Sequence, residues 1–252
     1  KCSSATGYPP IMHLPQTIGI ILANLIHGSL GVTIMFGRLA NLIFYSFALY
    51  FIIKWVRVGK WVFVVIGLIP LMVHMAASLS SDCVTNVAVF VITALTLNLF
   101  TQKNALSNKQ IAALVCTGIL LTLTKSINAL LLFPLIFLPK HLFAANKNKN
   151  IPFNIQKWAI LIMIGVAAII SLLIWQKIFG QPLLTTGATH NPLHSNPLKF
   201  IQILFNTYMN PTIGYTDIVL RGSVGDFSSF KYHLPLFVLI PLFSLLFLSL
   251  LH

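Results

Sequence analysis

Long apolar runs constrain this chain more than any other feature. They fall at about 34–56, 61–78, 83–101, 110–124, 127–139, 158–178 and 234–252. A helix needs roughly 20 apolar residues to cross the hydrocarbon of a bilayer, and several runs approach that length. Only 8% of the 252 residues are charged, and mean hydropathy is +0.90. Soluble domains carry roughly a quarter, so this chain has too little polar surface to face water all round. The expected fold class is all-α: a polytopic helical membrane protein with about seven spans and two interfacial helices. It reads as one transmembrane domain over 1–252, with an external interfacial segment at 1–33, six spans within 34–178, an external loop at 179–233 and a last span at 234–252. The chain starts at Lys1, shows no signal-peptide pattern, and its last residues, "LFSLLFLSLLH", are still apolar. Both ends read as cut, so a piece of a longer protein is expected.

The net charge of +13 does not point to nucleic acid, because the basic residues sit between the apolar runs. Lys54, Arg57 and Lys60 share one loop, Lys103 and Lys109 a second, and Lys140, Lys147, Lys149 and Lys157 a third. Basic loops stay in the cytoplasm. The short runs 110–124 and 127–139 read as two helices turning at "TKSIN", since one long helix would put the basic loops on opposite sides. This leaves Lys125 recessed at the external end, and Asp82, Asp217 and Asp226 fall on that side too. "MHLPQTIGIILANLIHG" shows His13, Thr17, Asn24 and His27 at helical spacing, an amphipathic pattern suited to the interface. "SNPLKFIQILFNTYM", with Asn196 before Pro197, reads as a second such helix.

Few residues carry chemistry, and each has a plainer reading beside the functional one. Asp82 precedes a helix and reads as an N-cap, or with Asn86 as an external carboxylate and amide: a general base, or a ligand for a divalent cation. Lys125 reads as a lysine snorkelling to the interface, or as a cation for a lipid-linked phosphate. Arg38 suits a lipid headgroup or a substrate phosphate. Arg221 and Asp226, in "IVLRGSVGDFSSFKYHLP", read as loop residues or as groups folded over an external cleft. His74 lies within a run and reads as a buried, hydrogen-bonded histidine rather than a proton relay. His190 and His194 flank Pro192 with no third ligand nearby, and Cys2, Cys83 and Cys116 are scattered, so no metal site or disulfide framework is expected.

Several stretches occur in a familiar order: "GYPPIMHLPQTIGIILANLIHG", "GRLANLIFYSFALYF", "SLSSDCVTNVAVFVITALTL", "LTLTKSINALLLFPLIFLP", then "NPLKFIQILFNTYM" and "GSVGDFSSFKYHLP". The chain resembles the bacterial membrane family named domain of unknown function 2142, over nearly its whole length. That family is similar to GT-C-type glycosyltransferases, which take a sugar from a polyprenyl-phosphate carrier outside the plasma membrane. The resemblance implies a bacterial plasma-membrane protein of the cell envelope, with membrane lipids, a polyprenyl-phosphate-linked sugar and a glycan or protein acceptor as partners. It implies inverting transfer, with Asp82 as a carboxylate of the site, Lys125, Arg38 and Arg221 holding phosphate, and His13 and Tyr8 lining the cleft. GT-C enzymes carry a catalytic acid in the first external loop; no acid precedes Tyr8 here. The expected function is therefore envelope glycosyl transfer, beside non-enzymatic binding or movement of a lipid-linked glycan. A small-solute transporter is disfavoured by the lack of acids inside the apolar runs and of paired broken helices.

Overall fold

A computed structural model describes residues 9–143, 153–179 and 236–251, with three isolated positions at 202, 205 and 206. The segment holding Tyr8, and the 180–235 region holding Arg221, Asp226, His190, His194 and most of the second expected interfacial helix, lie outside the described residues. What is described is helical throughout: α1 (Leu14–Leu25, after one 3-10 turn, Pro10–His13), α2 (Leu30–Trp55), α3 (Lys60–Gly67), α4 (Pro70–Ala76), α5 (Asp82–Phe100), α6 (Asn108–Thr124), a 3-10 segment (Ser126–Phe137), α7 (Phe153–Phe179) and α8 (Leu236–Leu251).

α2, α5 and α7 are long and apolar enough to cross a membrane. α5 is the central one. One face packs Ala88, Ile92, Leu95 and Leu99 against Leu114 and Leu121 of α6, Leu135 of the 3-10 segment and Ile164 of α7. Its other face packs Cys83, Val87, Phe90 and Ala94 against Tyr45, Leu49 and Ile52 of α2 and Phe63 of α3. A helix apolar on all sides belongs in such an interior. α7 is the opposite case: Ile162, Ile169, Leu173 and Ile174 are each more than half exposed, as suits a helix facing lipid.

The runs that fall short of a span have local causes. The run 61–78 breaks into α3 and α4 at Leu68–Ile69, because Pro70 has no N–H and pushes Ile69 out of the helical region (φ −54°, ψ 133°). Tyr45 of α2 donates its hydroxyl to the Gly67 carbonyl at this break, at 2.8 Å. The run 127–139 is a 3-10 helix, with Pro134 inside it. Twelve residues at about 2.0 Å rise cover about 24 Å. α6 covers about 25 Å with 17 residues at about 1.5 Å each. The tighter helix thus lets a shorter stretch run back the whole length of α6. The turn at Lys125, extended at φ −149° and ψ 129°, confirms the hairpin.

The three basic loops consequently meet at one end. Asn98 of α5 accepts from the Arg57 N–H at 2.8 Å and donates to the Trp55 carbonyl at 3.2 Å. His141 bonds the Gln102 carbonyl and Lys157 donates to the Leu138 carbonyl. Trp55, Trp61 and Trp158 stand half exposed among these loops. Indole rings with basic residues are the pattern of a membrane–water interface.

α1 lies antiparallel along the first half of α2. It buries Gln16, Gly19 and Ala23 and exposes Ile18, Ile21 and Leu25, so its apolar side faces away from the bundle. Small residues set such close approaches between membrane helices. A Cβ at Gly19 would overlap the Phe36 carbonyl, whereas Gly165 has nothing within 4 Å. Gly19→Ala is expected to destabilise the protein by about 1–3 kcal/mol and lower its Tm in detergent, while Gly165→Ala leaves Tm unchanged or slightly raised; thermal unfolding of both variants checks this.

Candidate functional site

Opposite the basic loops, the start of α5 meets the end of α6. Lys125 Nζ lies 3.1 Å from Asp82 Oδ1, with the side chains 44% and 26% exposed. Asp82 is not the N-cap the sequence suggested. Ser81 takes that position, and Asp82 opens the first turn, its N–H donating to Ser80 Oγ. Its carboxylate faces Lys125 instead of its own backbone. Lys125 is the C-cap of α6. An anion at a helix start and a cation at a helix end each suit the local dipole, so the pair joins two favourable termini. Thr124 and Asn128 brace the turn: Thr124 Oγ1 donates to Leu121 O, and Asn128 Nδ2 to Thr124 Oγ1.

The loop before Asp82 is held by α2. Arg38 Nε donates to Ala77 O at 2.7 Å, and Asn41 Nδ2 to Ser78 O at 2.7 Å. Asn41 is fully buried and also donates to Gln16 Oε1, while the Gln16 amide hydrogen-bonds the His13 ring. Cys83 donates weakly to the Asn41 carbonyl. His13 therefore reaches the site only through Gln16 and Asn41. Arg38 sits in its own groove with Gly31, Ile34, Met35, Leu39, Leu42 and Ala77, apart from the ion pair.

Asn86 lies one turn below Asp82 on α5, as expected. Its Nδ2 is buried with no acceptor among the described residues. It lines a cavity of about 610 Å³ with Val62, Phe63, Met72, Thr93, Leu97 and Ser249 among the walls. From Asn86 to Leu97 the cavity follows α5 for about 16 Å, a size typical of ligand pockets. His74, on α4, is exposed rather than buried. Among the described residues, no three His, Cys, Asp or Glu side chains gather to hold a metal.

Tyr45, Asn41, Gln16 and Asn98 were absent from the residues singled out by sequence. Asn41 and Asn98 had one available signal: each is an amide inside a run long enough to cross a bilayer.

Over residues 1–252 the sequence matches the family described as predicted membrane protein (DUF2142). The chain belongs to that family. No curated protein and no solved structure matches it. Family and helices together make this DUF2142 chain an integral membrane protein.

The ion pair is open to a double-mutant cycle. Asp82→Asn, Lys125→Gln and the double variant, compared by denaturant unfolding, are expected to show a coupling of about 0.5–1 kcal/mol, the range for partly exposed pairs.

Proposed function

We propose that this chain is a glycosyltransferase-like protein of the bacterial plasma membrane, acting on a polyprenyl-phosphate-linked sugar at the Asp82–Lys125 end. The observation that carries this reading is the 3.1 Å approach of Lys125 to Asp82 at the end opposite the basic loops. With those loops in the cytoplasm, the pair faces outward, where such donors are used.

The chemistry follows from the two side chains. Lys125 offers an ammonium to the donor phosphate, and Arg221 offers a second cation. As Lys125 turns to phosphate, the Asp82 carboxylate is released to take the proton of an acceptor hydroxyl. The acceptor oxygen bonds to the sugar's anomeric carbon from the face opposite the departing phosphate. The bond between that carbon and the phosphate oxygen breaks, and the leaving phosphate keeps the electron pair beside Lys125. The apolar cavity below Asn86 accommodates part of the polyprenyl chain, and the unpartnered Asn86 amide donates to a carrier or sugar oxygen. His13 acts on this end only through Gln16 and Asn41; Tyr8 and Asp226, the other expected substrate-binding residues, lie outside the described residues. If a divalent cation takes part, Asp82 is its ligand from this bundle.

A second reading is favoured by the same ion pair. Asp82 is already engaged by Lys125 and is the one acid among the described residues, which suits a protein that binds or moves a lipid-linked glycan without transferring it. Transfer from a radiolabelled polyprenyl-phosphate sugar and donor binding are measured on membranes holding the wild type, Asp82→Asn or Lys125→Gln. The enzymatic reading predicts a loss of about 10²–10⁴-fold in transfer for Asp82→Asn with binding kept, and loss of both for Lys125→Gln. Binding without transfer in the wild type supports the second reading, transfer persisting in both variants removes the assigned base, and no binding at all rejects both.

A further inference from the structure

The groove at Arg38 belongs to neither the ion pair nor the cavity along α5, and it has its own chemistry. Arg38 lies eight residues into α2, about 12 Å along the helix from Leu30. Its Nε–H is fixed on Ala77 O at 2.7 Å. That bond sets the plane of the guanidinium and leaves both terminal nitrogens without an acceptor among the described residues. Around them, Gly31, Ile34, Met35, Leu39, Leu42 and Ala77 enclose about 340 Å³, with Met35 67% and Leu39 47% exposed. No acidic side chain lines this groove. Arg38 is exposed, and a cation on an apolar, lipid-facing surface is costly unless it finds an anion.

We propose that this groove holds one phospholipid of the surrounding bilayer. An acyl chain lies along Ile34, Met35, Leu39 and Leu42, and the phosphodiester accepts from the two terminal nitrogens of Arg38. A planar fork suits two phosphate oxygens, and a lysine does not reproduce it. The occupant is a bilayer phospholipid rather than the polyprenyl-phosphate donor because the groove opens sideways on α2 and shares no wall residue with the cavity along α5. This inference is independent of the reading of Asp82 and Lys125.

The full chain is purified into nanodiscs of phosphate-free glycosyl diacylglycerol, and phosphatidylglycerol is titrated in. Binding is followed by native mass spectrometry and by Tm. The wild type is expected to take up one tightly held phosphatidylglycerol with a rise in Tm. Arg38→Gln, which loses charge-assisted hydrogen bonds, is expected to bind it about tenfold more weakly, and Arg38→Lys to recover only part of that loss. Gly31→Phe keeps Arg38 but fills the groove; a Cβ there meets Ser29 Oγ at an unstrained 4.0 Å, so this variant is expected to fold and to bind weakly as well. Wild-type binding in both Arg38→Gln and Gly31→Phe overturns the proposal. Displacement of the bound phospholipid by stoichiometric polyprenyl phosphate also overturns it, by assigning the groove to the donor.

Discussion

A backbone carbonyl released inside an apolar bundle must find a donor, since lipid offers none and each unpaired group costs several kcal/mol. This chain breaks its helices repeatedly, and α2 answers the two breaks that flank α4. Tyr45 reaches Gly67, Asn41 reaches Ser78, and Arg38 reaches Ala77. The three lie at i, i+3 and i+7 on one face of α2, so a single helix serves two consecutive breaks. Asn98 of α5 does the same where α2 itself ends, at Trp55 and Arg57. These polar rungs fix the level at which α5 begins.

That level decides where Asp82 can go. Lys125 arrives from the other side, at the extended residue between α6 and the 3-10 segment. Two constraints met there: the chain had to reverse, and the returning stretch had to reach the basic loops with few residues. The 3-10 geometry meets the second through its greater rise. Gly118 assists, since it lies against both Ile164 of α7 and Leu132 of the returning segment. Forty-three residues of sequence separate Asp82 from Lys125, yet each sits at a helix terminus whose dipole suits its charge.

Much of this was legible in the residues. Apolar length gave the membrane class and the rough limits of α2, α5, α7 and α8, and the basic loops gave the hairpin at Lys125. Other features were hidden for physical reasons. Pro70 divides a run whose hydropathy is continuous, and hydropathy does not register the break. The 3-10 form of 126–137 depends on the distance to be covered, a tertiary quantity. Asp82 followed by an apolar helix looks the same as a cap or as a partner for Lys125, because the choice rests on a residue far along the chain. Asn41 and Tyr45 carry no motif; their role exists only because backbone breaks lie opposite them. Of the candidate site, Asp82, Lys125 and Asn86 gather on one region, Arg38 serves the loop beside it, and Tyr8, Arg221 and Asp226 lie outside the described residues.

The central claim is that a lipid-borne phosphate meets this bundle at the Asp82–Lys125 end, with its chain along α5. A polyprenyl phosphate carrying a diazirine midway along its chain tests this most directly, by photolysis in membranes and peptide mapping of the adducts. The account predicts labelling of the cavity walls, on α5 between Asn86 and Leu97 and on the facing α3. Adducts confined to the exposed surface of α7, or to the groove beside Arg38, would contradict it.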